Sequence, residues 1–510
     1  MPARRLAAAV ITLLVVAVPI AAQTPGGTST RQLSLAQALE QARANSPTYR
    51  QSQMNADPAA EAVKAANWAR LPTLNVSSGV TYTGVGSSAF GGGFTFTQSS
   101  PTVSSSYNFS ASWQLSARTF ITPSIQRAQQ RVTEENIANA GVTLTSDVTS
   151  QYLTALRAAA VVGVAVQQLV RDTQFLALAK ARQQVGQGTL IDVLSAQTAM
   201  ASAKVQLLQS QQAATQAKIE LLRRIGLPAD ANVDAIVLSE PFPLVEPKFD
   251  LQALRTMANE SNPAIRSAQE SQRAGHLNTT AARSDRLPSL SISTGLSGYT
   301  LQSTNEGILL NNKLLAAQAS EANCAFQNEI LMGLTTPIQG GIIADCKAYA
   351  GLDATGNALL PGVSQAIHTA NSVFPFNFTR QPVSVSFGLS LPIWDAYSRS
   401  LRVSQAAATE DQARENVRAQ QLSTDAQIQS QLLTVNTAWA RMQIQDTNRV
   451  SARQQLQLAQ DRYRIGNGTA LEIADAQNAV TQSEADYVTA VYDYHLAVAG
   501  LEAAVGRPLR

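Results

Sequence analysis

The stretch Val185-Gly186-Gln187-Gly188-Thr189-Leu190-Ile191-Asp192-Val193 constrains this chain most, because it occurs twice. Its second copy is Ile465-Gly466-Asn467-Gly468-Thr469-Ala470-Leu471-Glu472-Ile473. Each copy interrupts a long Ala/Gln-rich tract with two glycines and resumes behind a threonine. Glycine takes the left-handed conformation that ends a helix, and threonine accepts the free N–H groups that begin the next. A carboxylate in the new first turn, Asp192 or Glu472, suits the positive end of the helix dipole. Two tight helix–turn–helix reversals are therefore expected in one chain.

The repetition extends beyond the tips. Asn45-Ser46-Pro47 returns as Ser261-Asn262-Pro263 and Arg70-Leu71-Pro72 as Arg286-Leu287-Pro288, both 216 positions on (263 against 47, 288 against 72). Ile225-Gly226-Leu227-Pro228 returns as Val505-Gly506-Arg507-Pro508, 280 positions on, as do the tips (508 against 228, 466 against 186). Residues 33–228 and 249–508 are thus two halves of one design. A linker at 229–248, with Pro241, Pro243 and Pro247, joins them. The larger second offset places an insertion in the second half, at about 300–380, as a long loop.

Each half reads as short helix, medium helix, strand, loop, strand, long helix, tip, helix. In the strands apolar and small polar residues alternate, which buries one face of a sheet. Leu74, Val76, Val80 and Tyr82 form one such series; Tyr107, Phe109, Ala111, Trp113 and Leu115 form another. Leu290, Ile292 and Leu296, then Val383, Val385, Phe387, Leu389 and Leu391, repeat it in the second half. Such strands suit a soluble sheet or the wall of a membrane barrel. Residues 73–83 would span about 36 Å at 3.3 Å per residue, enough to cross a bilayer when tilted. Tyr82, Tyr107, Trp113 and Trp394 fall near strand ends, where a barrel carries its aromatic girdle. Four strands do not close a barrel, since about eight is the smallest number that fills its own interior. An oligomer follows if the strands cross a membrane. The glycine-rich segment 84–101 reads as an extracellular turn.

The helices fit one length rule. Residues 123–184 make about 93 Å of helix, whereas the returning 189–224 makes about 54 Å. The medium helix 47–70 adds about 36 Å and completes the match. The second half repeats this with 397–464 against 263–286 plus 469–504. Along the long helices apolar residues recur at alternating spacings of four and three. Val148, Tyr152, Ala155, Ala159, Val162, Val166 and Leu169 form one seam; Ile428, Leu432, Val435, Trp439 and Met442 form the other. That is a coiled-coil pattern.

Arg4 and Arg5 precede an apolar run at 6–20 that ends in Ala21-Ala22-Gln23, the make-up of a secretory signal peptide at 1–22. No comparable apolar run follows, so no transmembrane helix is expected. Charged residues are 14% of the chain and its net charge is +3, which gives no nucleic-acid surface. The two cysteines, Cys324 and Cys346, both lie in the insertion and read as a local disulfide in an exported protein. His276, His368 and His495 stand singly, without ligand spacing, so neither metal nor other cofactor is expected. No constellation points to an enzyme.

Signal peptide, duplicated halves, two strands per half and two glycine-tipped hairpins point one way. The chain resembles the TolC family of outer-membrane efflux proteins. Residues 35–47 with their echo at 251–263, the two Arg-Leu-Pro tripeptides, and the tips with Ala196-Gln197 and Ala476-Gln477 behind them carry the likeness. The resemblance implies a mainly α protein with a membrane β-barrel: a homotrimer whose twelve pooled strands sit in the outer membrane above a periplasmic α-helical tunnel. It implies an exit duct that passes small molecules from an inner-membrane pump through a periplasmic adaptor. A duct for type I protein secretion, or a periplasm-spanning structural coiled coil without a pore, are the alternatives.

The resemblance also implies roles for single residues. The adaptor would dock on the tips, at Val185, Gly186 and Gln187 and at Ile465, Gly466 and Asn467, both with an amide where the family has an apolar residue. Asp192 and Tyr463 would form a gate contact, so Tyr463→Phe is expected to raise conductance. Glu472 and Asp475 would supply acidic rings that favour cations. Gly468 stands where a further arginine latch would be.

Overall fold

The duplication carries into the backbone, most closely in the two helical hairpins. The computed structural model describes residues 31–90, 94–98, 100–228, 233, 236–240, 242–334 and 341–509. The signal peptide at 1–22 and the glycines at 91–93 lie outside the described residues. The first half runs β1 (Arg31–Leu33), α1 (Leu35–Asn45), α2 (Pro47–Gln53), α3 (Ala56–Trp68), β2 (Thr73–Thr83), β3 (Gly86–Phe90), β4 (Phe94–Gln98), β5 (Thr102–Leu115), α4 (Ala117–Gln184) and α5 (Leu190–Ile225). After β6 (Ile236–Leu238), the second half begins with α6 (Leu251–Ser261), α7 (Pro263–Ser284) and β7 (Ser289–Ser303). It continues through α8 (Glu306–Met332), α9 (Cys346–Ala350), α10 (Pro361–Asn371), β8 (Thr379–Arg380), β9 (Ser384–Ser390), α11 (Ser398–Arg464) and α12 (Ala470–Val505). The two returning helices, α5 and α12, are each 36 residues long.

Where the structure departs from the pattern, local chemistry accounts for it. The medium helix expected at 47–70 breaks at Met54 and Asn55, because Pro58 in the first turn of α3 has no N–H and excludes the carbonyl four residues back. The matching residue of the second half is Ala274, and α7 runs unbroken. Helix α4 begins at Ala117, ahead of the expected Pro123, because the Ser116 hydroxyl accepts the Thr119 N–H at 3.3 Å and starts the helix. Helix α11 begins at Ser398, one residue late, since Tyr397 holds φ at 65°. The linker is not featureless: β6 pairs parallel with β1. The segment 84–101 carries the β3–β4 hairpin.

The chain divides into two compact units, residues 1–58, 131–270 and 414–510, and residues 59–130 and 271–413. In the first unit two equivalent cores form. Leu33, Ala38, Ala42, Val148, Tyr152, Leu221 and Ile225 build one; Leu254, Ala258, Ile428, Val435, Leu501 and Val505 build the other. The α11 seam is buried at Ile428, Val435 and Met442. The α4 seam is buried only as far as Ala155; Ala159 and Val166 beyond it are exposed in the single chain. That stretch makes α4 the one described helix with a window apolar and long enough to cross a membrane by composition.

In the second unit the sheet runs β2-β5-β7 in antiparallel order, and β7 pairs along its far edge with both β8 and β9. Pro382 separates β8 from β9, and the register slips there by one residue, from Gly298↔Arg380 to Gly295↔Ser384. A residue without an N–H interrupts a ladder in this way. The register aligns the alternating residues across strands: Val76, Phe109 and Leu296 share one face, as do Trp113, Ile292 and Phe387. Serines and threonines line the other face. Strand β5 continues to Thr102, so Tyr107 lies within the strand and not near its end as expected. The expected loop at 300–380 is folded: β7 runs on to Ser303, three helices follow, and the Cys324–Cys346 disulfide ties α8 to α9.

Candidate gate and docking tips

Both tips are built from the backbone. Gly186 ends α4 at φ +74° and Gly466 ends α11 at φ +85°. Gly186 donates to the Gln183 carbonyl at 3.0 Å and Gln187 to that of Arg182 at 2.9 Å. Gly466 and Asn467 donate likewise to the carbonyls of Tyr463 and Arg462, at 3.1 and 2.9 Å. This satisfies carbonyls that the helix end leaves free. Gln187 and Asn467 serve through their main chain, so an amide in place of an apolar side chain leaves the turn intact. The second glycine is there for space. A Cβ on Gly468 would stand 2.8 Å from the Tyr463 nitrogen, so any side chain at that position would force the backbone to shift.

Thr189 caps α5 in a reciprocal box: its hydroxyl accepts the Asp192 N–H at 3.2 Å, and the Asp192 carboxylate accepts the Thr189 N–H at 3.0 Å. Thr469 accepts the Glu472 N–H at 3.2 Å, but the Glu472 carboxylate turns to Arg462, 3.7 Å away. Asp475 is exposed one turn on. Apolar side chains cover the outside of both tips. Val185, Ile191, Ile465 and Leu471 are each about 70% exposed, and Leu190 and Leu194 are more than half exposed.

Behind the tips the two hairpins share one core, in which Phe175, Ala179 and Val193 meet Leu456, Tyr463 and Ile473. The structure buries Tyr463 but joins it to a different partner from the one expected. Its hydroxyl has no hydrogen-bond partner among the described residues, and Asp192 is engaged at its own cap. The guanidinium of Arg182 lies over the Tyr463 ring, 4.2 Å from its centroid, and Nη1 donates to the Tyr463 carbonyl. Nη2 donates to the Gln187 carbonyl at 3.2 Å, so one side chain holds its own tip and grips the other hairpin. Burial raises the Tyr463 phenol above its ordinary pKa; Arg182 opposes the shift and Asp192 adds to it.

Further along, α12 carries two carboxylates that each bridge the hairpins. Glu484 pairs with Arg171 of α4 at 3.4 Å and with Arg453 of α11 at 3.0 Å. Asp493 pairs with Arg157 of α4 at 3.2 Å and with Arg441 of α11 at 3.3 Å.

The family model for outer membrane efflux proteins matches residues 38–227 and 347–507, which include both hairpins. The chain belongs to that family. No curated protein matches it in sequence. Among solved structures, the outer-membrane channel OprN is similar over 92% of this chain and 89% of its own, at 17% identity and a TM-score of 0.65. The outer-membrane protein VceC of Vibrio cholerae is similar over 93% and 97%, at 14% identity and a TM-score of 0.65. The MtrE outer-membrane channel of Neisseria gonorrhoeae, in its open state, is similar over 93% and 89%, at 15% identity and a TM-score of 0.64. This efflux-family protein is accordingly an outer-membrane protein with a large periplasmic helical portion.

Sequence reasoning missed Arg182, Leu190, Ile191, Leu194 and Leu471. For Arg182 a signal was present, because the 280-residue offset places Arg462 at the same point of the second tip. Its cross-hairpin grip was not readable, since the matching residue of the first hairpin to Tyr463 is Gln183.

Proposed function

We propose that this protein is the exit duct of a tripartite efflux system, a homotrimer that receives small molecules from an inner-membrane pump through a periplasmic adaptor. One observation carries the assembly. Strands β2 and β9 end the sheet with open edges, and every residue of both is exposed in the single chain. Open edges pair with other strands. Two copies would pool eight strands, whose side chains fill the interior; three copies leave a lumen. The exposed part of the α4 seam offers a neighbouring copy a second surface. The apolar tips are the surface we assign to the adaptor, and the Arg182–Tyr463 contact is the latch between hairpins. Glu472 and Asp475 would line the narrow end with negative charge, which favours cations.

The duct reading is tested by purifying the membrane form, comparing its migration on a gel with and without heating, and recording ion current in a planar bilayer. A heat-sensitive trimer that conducts supports the duct. A monomer without current overturns it.

A further inference from the structure

The insertion between β7 and β8 could cover the mouth of a barrel or its outer wall, and burial along β7 separates these two cases. In its lower half Ile292 and Leu296 belong to the apolar face, which meets lipid in a membrane barrel. Going up the strand, Gly298 and Thr300 on that same face are buried, while Tyr299 and Leu301 on the serine-rich face stay exposed. Apart from Ser303 at the strand end, which the last residue of α10 caps, the covering is therefore on the lipid side.

The contacts identify what covers it. The strap that leads from α10 back to β8 lies against this face. Ser105 Oγ donates to the Pro375 carbonyl at 2.6 Å and shares a 2.7 Å hydrogen bond with Thr300. Gln302 Oε1 accepts the Phe374 N–H at 3.0 Å, and Phe378 meets the Tyr107 ring edge-on with centroids 4.8 Å apart. Just below, the row shared by Tyr107, Gly298 and Arg380 gives way to Val76, Phe109 and Leu296. Tyrosine and arginine above an apolar band mark a membrane–water interface. Phe376, in the middle of the strap, is 82% exposed.

We propose that the insertion is a collar on the outer wall of the barrel, that its strap seats Phe376 in the headgroup layer of the outer leaflet, at and just above the row of Arg380, and that it is not a lid over the pore. This rests on the duct reading above. Apolar continuity with Phe109 and Leu296 argues for lipid as the occupant, because the same face meets both.

The test uses the full chain in bilayers. With the native cysteines paired, Phe376→Cys and, as a lumen-side control, Leu301→Cys are labelled with an environment-sensitive fluorophore. The label at 376 should lose most of its emission to lipids that carry a quencher near the headgroup and resist aqueous iodide, and the label at 301 should do the reverse. Replacing residues 306–371 by a short Gly/Ser linker should leave the single-channel conductance unchanged. Quenching at 376 by iodide alone, or a conductance that rises on deletion, would overturn the collar. If the deletion fails to fold, the two labels still decide. Absence of current from the unaltered protein would instead count against the duct, and the lipid quenching reads independently of it.

Discussion

Replacing Arg182 with methionine separates two accounts of how the tips are held. Methionine keeps the apolar stem and removes the guanidinium. It deletes a cation–π contact of roughly 1 kcal/mol at a partly exposed site. It also deletes a charge-assisted hydrogen bond of roughly 1.5 kcal/mol to the Tyr463 carbonyl. The Nε of Arg182 is buried without a partner among the described residues, and its loss returns part of this. A net of about 2 kcal/mol per protomer remains, or about a 30-fold shift in the equilibrium between seated and released tips. Single-channel recording should show a marked rise in open dwell time for Arg182→Met. Tyr463→Phe should change little, because the hydroxyl it removes has no hydrogen-bond partner among the described residues, whereas Tyr463→Leu should lose only the cation–π part, roughly 1 kcal/mol, since the main-chain carbonyl that accepts from Arg182 remains. In a double-mutant cycle Arg182→Met and Tyr463→Leu should couple by roughly 1 kcal/mol, the cation–π part that both remove. If Tyr463→Phe opened the channel and Arg182→Met did not, a phenol–Asp192 bond would hold the gate and the Arg182 argument would be wrong.

Other perturbations test other parts of the site. Gly468→Ala forces a methyl against the Tyr463 backbone and should cost about 1–3 kcal/mol, read as an earlier thermal melt, with Gly188→Ala, at 3.1 Å, costing less. Substituting alanine at both Glu472 and Asp475 should reduce the preference for cations in reversal-potential measurements; unchanged selectivity would remove the acidic ring. The Glu220 carboxyl, clamped by Arg223 and Arg224, is lowered to a pKa of about 2 from 4.5. A lowered acid stabilises the fold above its unfolded value and loses that contribution as pH falls from 4.5 toward 2. Melting temperature should thus drop less steeply over that range in Glu220→Gln than in the unaltered protein.

The two halves, the strands and the hairpins were legible because each is written in a local code. A glycine followed by threonine and a carboxylate fixes a reversal wherever it occurs, and alternation fixes which strand residues share a face. Helix boundaries were less legible where two local signals competed. Pro58 broke a helix that periodicity extended, and the Ser116 cap started another before the proline that looked like its beginning. The insertion reads as a loop in the sequence because its apolar residues follow no single period and its order depends on contacts with β7.

The sequence by itself determined the duplication, the tips and the apolar face of the sheet, since these depend on spacing along one chain. Only the tertiary structure decided who holds whom. Tyr463 is gripped by Arg182 and shares no hydrogen bond with the nearby Asp192, whose carboxylate is engaged at its own cap, and the cap contact costs less chain entropy than one to a distant hairpin. The same holds for the insertion, whose strap finds Ser105 and Gln302 on the outer wall. Pairings between residues hundreds of positions apart leave no trace in spacing, because packing selects them after the local elements have formed.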